Sequence, residues 1–187
     1  MSTGPEWEFV EKPLLAQLAS LGWSILNWPD AQPSDNIERS SNRAVLLEQR
    51  LRIAMRACNL DADGKPWLDG PRLDAAIAEL RSMPAGMKLL EANRKSTELL
   101  LGGTTVDGIE GWDGRRNQAV NFIDWDHPSE NDFLAVSQFP VATPGQQADI
   151  RPDVVLFVNG IPLVVIEAKA VGKPMTEAIE QLSRYAN

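Results

Sequence analysis

The chain has 187 residues and apolar and charged fractions ordinary for a globular protein, enough for one domain with a substantial core. Its single cysteine, Cys58, excludes an internal disulfide and suits a reducing compartment; with no signal pattern and no apolar run near the roughly 20 residues a bilayer crossing takes, the expectation is a cytoplasmic protein without membrane contact. The net charge of -8 argues against strong autonomous binding to nucleic acid, which needs cations to replace phosphate counterions, so local basic patches or partner subunits would have to hold such a substrate.

Pro5 to Leu21 reads as an amphipathic helix, because Phe9, Leu14, Leu18 and Leu21 recur at helical spacing before Gly22. Trp23 to Trp28 reads as a short strand stopped by Pro29 and Asp30, and Ala31 to Ser40 as a polar connector. A second helix is expected from a cap at Ser40 or Ser41 to about Cys58, with Leu46, Leu47, Leu51 and Met55 on one side. After a turn at Asp61 to Pro66, Leu73 to Met83 and Met87 to Leu101 read as helices separated by Pro84 and Gly86, and Gly102-Gly103 ends the last. The period then changes to that of strands. Thr104 to Ile109 and Ala119 to Trp125 form a hairpin across a Gly-rich turn, and Phe133 to Val141 is a strand with Pro140 near its end. Gln146 to Arg151 is a loop, Val154 to Val158 and Leu163 to Lys169 are buried strands, and Thr176 onward is a helix. This order predicts an α/β (α+β) domain over 1–187, a central mixed sheet flanked by helices, with helices about 41–101 inserted between the first helix and the sheet.

The most informative stretch is Arg151 to Lys169. Asp153 opens one apolar strand; Glu167 and Lys169, two residues apart and so on one side, close the next. Charge on buried strands needs a reason. Leu163 to Ile166 is apolar on both faces, as in a central strand covered on both sides. Two converging carboxylates repel unless a cation lies between them, and hard oxygen donors suit Mg²⁺ or Mn²⁺. Such an ion supplies an activated water and charge stabilisation at a phosphate, and Lys169 would orient the water, act as its base or neutralise charge. The pattern is that of a metal-dependent nuclease. A salt-bridged strand end, with Lys169 pairing one acid, is the plainer alternative. Register separates the two: a strict two-residue Asn159-Gly160 turn would set Asp153 opposite Ile166, on the wrong face. The shared ion therefore predicts a three-residue loop with Gly160 in the left-handed region, pairing Asp153 with Val165.

Pro152-Asp153 and Glu167-Ala168-Lys169 resemble the PD-(D/E)xK nuclease motif. Together with Leu90 to Arg94, Asn121 to Trp125, Asn131 to Val136 and Arg151 to Lys169, they make the chain similar to the amino-terminal domain of the restriction (R, HsdR) subunit of type I restriction-modification enzymes. The resemblance spans nearly the whole chain and is strongest from Leu90 onward. It implies a Mg²⁺-dependent endonuclease domain with a restriction-endonuclease-like core, acting on double-stranded DNA. Asp153, Glu167 and Lys169 would be its catalytic residues, with the Ala168 carbonyl as a further metal ligand. It also implies ATP-driven motor domains in the same polypeptide, and specificity and methylation subunits as partners. Gln181 and Tyr185 match the Q-x-x-x-Y motif that follows the nuclease core, and share a helix face at their spacing of four. They could hold the DNA backbone or order the site; ordinary helix polarity is the alternative. Glu11 matches an acid that related nucleases bring to the metal, although a solvated helix-face acid fits as well and Glu8 competes. Ala168 stands where the family often has leucine, a mild departure if the ligand is the backbone carbonyl. Gly64-Lys65-Pro66 and Gly172-Lys173-Pro174 lack the hydroxyl and spacing of a phosphate loop, so the expectation is an N-terminal fragment of a longer motor subunit.

Other signals carry less. One histidine, His127, and one cysteine do not compose an ordinary zinc site, and no nucleophile elbow accompanies His127. Cys58 reads as a small core residue. Arg39, Arg43, Arg50, Arg52 and Arg56 read as a solvated face paired with Glu38 and Glu48, or as a surface for DNA phosphates or motor domains. The six tryptophans suit packing better than base stacking. Two further readings stand beside the restriction nuclease: a non-catalytic docking module of the same subunit, and a stand-alone repair or recombination nuclease, against which the acidity weighs.

Overall fold

The computed structural model describes residues 4–28, 38–39, 41–82, 87–109, 117–142, 149–170 and 172–185, with Tyr185 described by its backbone alone. The expectations for Pro29 and Asp30, most of the Ala31 to Ser40 connector, the Ser40 cap, Met83, Pro84 and Gly86, the Gly-rich turn after Ile109, Gln146 and the Tyr185 side chain lie outside the described residues. The chain divides into two units, one of Met1–Gln49 with Asp132–Asn187, the other of Arg50–Asn131.

The first unit opens on a helix with a wide first stretch. Trp7–Glu11 is π-helical, the Lys12 N–H bonding the Trp7 carbonyl five residues back, and α1 (Lys12–Ser20) continues it. Pro13 has no N–H to offer the preceding turn, which loosens the regular ladder there. Gly22, at φ 93°, ends α1 as expected: its N–H bonds the Ala19 carbonyl and that of Trp23 the Leu18 carbonyl. The sheet is mixed. β1 (Ser24–Asn27) runs parallel to β4 (Phe133–Ser137); β5 (Val154–Val158) is antiparallel to β4, and β6 (Ile161–Ile166) to β5, in the order β1-β4-β5-β6. Alternation along β4 and β5 feeds two cores. Leu134, Val136, Val155 and Phe157 pack with Leu47 and Phe139 in one, and Ala135 and Val154 with Leu15 and Leu18 of α1 in the other. α5 (Met175–Tyr185) follows the last strand.

Three expectations change here. The hairpin loop is the two-residue one: Val158 pairs with Ile161, and Asn159 and Gly160 both have positive φ, 53° and 78°. The extra residue sits in β6 instead. Phe157 pairs with Pro162 but Leu156 with Val164, which leaves Leu163 as a bulge. Beyond it Val154 pairs with Ile166, so the next rung sets Asp153 level with Glu167, not Val165. Second, β6 is not a covered central strand. Among the described residues it lies at the sheet edge, with Leu163, Val164 and Val165 at 40%, 46% and 44% exposure. A continuous apolar run does not tell an edge strand from a central one. Third, the second helix, α2 (Glu48–Cys58), begins later than Ser41, because the Leu47 N–H bonds the Gly160 carbonyl at 2.9 Å and its side chain enters the core.

The second unit holds most of α2 with α3 (Gly70–Arg81), α4 (Leu89–Gly102) and a separate two-stranded sheet of β2 (Thr104–Asp107) and β3 (Asn117–Val120). It starts later than the expected insertion at 41–101 and ends at Asn131, carrying the hairpin with it. Asp69 caps α3 by accepting the Arg72 N–H, and the Arg72 guanidinium clamps the end of β2 through the carbonyls of Asp107 and Gly108, both at 2.7 Å. Asn59 pairs both ways with the Asn121 backbone at 2.8 Å. Phe122 and Ile123 are buried but lie past β3, shorter than the strand expected to Trp125. No described helix is long and apolar enough to cross a membrane.

Candidate active site

The expected site residues lie in the first unit, around the open end of the β5–β6 hairpin. Asp153 precedes β5. One carboxylate oxygen accepts the backbone N–H of Ala168 at 2.7 Å, the other the Gln138 side-chain amide at 3.2 Å. The same amide donates to Glu11 at 3.3 Å, so Gln138 bridges two carboxylates 142 positions apart in the chain (153 − 11). Gln138 owes this place to its backbone. It follows β4 at φ 54°, and its N–H bonds the Asp153 carbonyl at 2.9 Å, turning its side chain away from the strand alternation.

Glu11 is only 3% exposed. Burial is the main cause that raises its carboxyl above the ordinary range; the charge of Asp153 adds to it, and the Gln138 amide opposes it. Glu8, the competing acid, faces solvent and pairs with Lys12 at 3.3 Å. Both Glu167 carboxylate oxygens are shielded from solvent. Lys169 is largely buried; its ammonium donates to the Ala168 carbonyl and to Gln181 Oε1, each at 2.9 Å, and lies 4.0 Å from Glu6. Gln181 is thereby at the lysine, on α5.

Two members of this cluster were missed in the sequence. Gln138 was hidden in the expected strand to Val141, although an amide in that apolar run was a signal. Glu6 was missed because residues five apart lie about 140° apart on an α-helix, and only the wide π turn brings Glu6 and Glu11 to one side. The arginine cluster disperses. Arg39 is a core residue, its guanidinium over the rings of Trp28 and Phe139 at 4.8 and 4.1 Å and bonded to Asn42 at 2.8 Å. Arg52 pairs with Asp74, and Arg56 bonds the Leu68 carbonyl at 3.2 Å. His127 is exposed beside Asp124. Burial pushes the Cys58 thiol up to about 11, as for an inert core cysteine.

The donors suit a hard divalent cation in kind: Glu11 and Asp153 face each other across one amide, and a cation between them would relieve the repulsion that adds to the effect of burial on Glu11. Two features stand against a fully assembled site. Among the described residues no three Asp, Glu, His or Cys side chains are grouped closely enough to hold an ion, and the Ala168 carbonyl is occupied by Lys169. A cavity of about 330 Å³ opens beside this cluster, lined by Glu6, Lys169, Lys173, Glu177, Gln181 and Arg184. Its charges are of both signs, and Asp153 and Glu11 do not line it.

Residues 5–187 match the family model described as type I restriction enzyme R protein N terminus. The chain is 28% identical over 177 residues to the type I restriction enzyme HindI endonuclease subunit of Haemophilus influenzae, covering 94% of this chain and 16% of that one. It is 27% identical over 165 residues to a putative type I restriction enzyme MjaIXP endonuclease subunit of Methanocaldococcus jannaschii, covering 86% and 15%. Over 75 residues, 40% of this chain and 23% of that one, it is 37% identical to the type I restriction enzyme EcoprrI endonuclease subunit of Escherichia coli. The chain thus spans about 16% of the length of the first of these relatives. Matched along nearly its whole length, the chain belongs to the family of type I restriction enzyme R protein N-terminal domains.

Proposed function

We propose that the chain is a PD-(D/E)xK endonuclease domain that hydrolyses phosphodiester bonds of duplex DNA with Mg²⁺ or Mn²⁺. The supporting observation is the meeting of Glu11, Asp153, Lys169 and Gln181, from four separate segments, at one hairpin end. Asp153, Glu167, the Ala168 carbonyl and Glu11 would hold the cation. When bound, it supplies an activated water and charge stabilisation at the scissile phosphate. Asp153 binds Ala168 N–H and so orients the Ala168 peptide. Lys169 presents a fixed positive charge where a phosphate would arrive. Gln181 steadies that ammonium, and Tyr185, one turn on, would meet the DNA backbone.

In the longer proteins that this family's members come from, we place the domain ahead of ATP-driven motor domains. Specificity and methylation subunits would bring it to DNA in the cytoplasm, consistent with a net charge of -8 on this domain. A docking module without catalysis is the second reading, favoured by the lack of a three-ligand group among the described residues. Calorimetric titration with Mn²⁺ separates the two. A nuclease site binds the ion and loses it in Asp153→Ala; no binding by the unaltered chain favours the docking module.

A further inference from the structure

Neither motif nor regular helical spacing accounts for Glu6 at this site. Its Oε1 is shielded from solvent and has no hydrogen bond. A shielded carboxylate oxygen without a donor is costly. Lys169 Nζ lies 4.0 Å from Glu6 Oε1, longer than a hydrogen bond, with the Lys169 side chain 19% and the Glu6 side chain 37% exposed. That ammonium has three N–H groups, and two of them go to Ala168 and Gln181. The carbonyl of Ala168 cannot serve Lys169 fully and also ligate a cation. If it turns to a cation, Lys169 loses one of its two close acceptors while a second positive charge enters its surroundings. Glu6 lies 4.0 Å from the ammonium, with an Oε1 that accepts no hydrogen bond and a negative charge. Its charge is also felt at Glu11, which puts it inside the electrostatic reach of the carboxylate pair without making it a ligand.

We propose that Glu6 is a positioning residue for Lys169: its shielded oxygen is the acceptor to which the ammonium turns when the Ala168 carbonyl is given up to a divalent cation. The proposal rests on the metal reading above. Lys169 then keeps its charge and its place in both forms of the site, and the π-helical turn that carries Glu6 to this side has a use.

The test is a double-mutant cycle read by Mn²⁺ calorimetry on the 187-residue chain: unaltered, Glu6→Gln, Lys169→Met and the double variant. Glu6→Gln keeps shape and an acceptor but removes the charge, and should weaken Mn²⁺ roughly ten-fold, the low end for removing a partner that orients a metal's surroundings. In the Lys169→Met background the same substitution should change nothing, because the group it serves is gone. Glu6→Ala, run in parallel, should weaken binding at least as much and guards against a packing artefact of the glutamine. Equal weakening in both backgrounds, which is the mark of bulk charge, overturns the role of Glu6; so does unchanged affinity in Glu6→Gln and Glu6→Ala while the unaltered chain binds Mn²⁺ and Asp153→Ala does not. Absence of Mn²⁺ binding in the unaltered chain overturns the metal reading itself, and the role of Glu6 with it.

Discussion

Asp153 accepts the backbone N–H of Ala168 at 2.7 Å, so the acid that precedes β5 holds the Glu167–Ala168 peptide. Sequence motifs separate these residues by 15 positions, and one side-chain bond makes them a unit. The bond also has a structural cost when broken. In Asp153→Ala the Ala168 N–H and the Gln138 amide both lose an acceptor, which should cost about 1–3 kcal/mol. Asp153→Asn retains one carbonyl oxygen and should lose less. Both should lose Mn²⁺ affinity if the metal reading holds. Thermal denaturation with calorimetry on the two variants separates the structural part from the charge.

Glu11 carries a pH dependence of defined sign. Its folded carboxyl is raised, mainly by burial and then by Asp153, so the folded chain holds the proton more tightly than the unfolded chain. Stability from this group is therefore fully present below the ordinary carboxylate pKa, and is lost as pH rises through the raised value. Glu11→Gln has no such loss. It should be more stable than the parent at neutral pH in metal-free buffer, with the difference vanishing below about pH 4. Melting curves of the two proteins across pH check this; an advantage that persists at low pH would contradict it.

Asn159 supports the hairpin in two ways. It adopts φ 53°, and its Oδ1 accepts the Asp132 N–H at 2.8 Å while its own N–H donates to the Asp132 carbonyl at 2.8 Å. Asn159→Ala removes the side-chain acceptor and must hold a strained conformation, so it should cost roughly 2–4 kcal/mol. Asn159→Gly keeps the turn and loses only the side-chain bond, and should be the milder of the two. Denaturant midpoints rank them.

Two glycines with positive φ should respond differently to alanine. At Gly22 an added Cβ meets nothing within 4 Å, so Gly22→Ala should cost only the backbone strain, about 1 kcal/mol. At Gly103, φ 68°, the Cβ would lie 2.2 Å from the Val120 carbonyl oxygen. Gly103→Ala must displace the end of β3 and should cost clearly more than about 1 kcal/mol, seen as a lower melting temperature.

Local signals were legible without any structure. Gly22 stops α1, and the apolar runs at Val154 to Val158 and Leu163 to Ile166 form neighbouring strands. Such signals act over a few residues, where glycine conformation, capping and side-chain period dominate. That Asp153 and Glu167 should share a face was readable as a condition, but the level of Asp153 with Glu167 instead of Val165, and the device behind it, were not. The expected three-residue loop gave way to a tight Asn159-Gly160 turn and a bulge at Leu163. One extra residue is needed somewhere in the hairpin, and local propensity does not say on which side of the turn.

The amino-acid order by itself determined which residues carry charge at the ends of apolar strands, the hairpin that joins them, and a family resemblance that the whole-chain match bears out. Only the folded chain decided that Gln138 bridges Glu11 and Asp153, that Glu6 reaches Lys169, and that β6 is an edge among the described strands. Each of these depends on contacts between segments far apart in the chain, or on a helix turn of unusual width. Neither leaves a period in the sequence, because what sets them is the packing of one element against another.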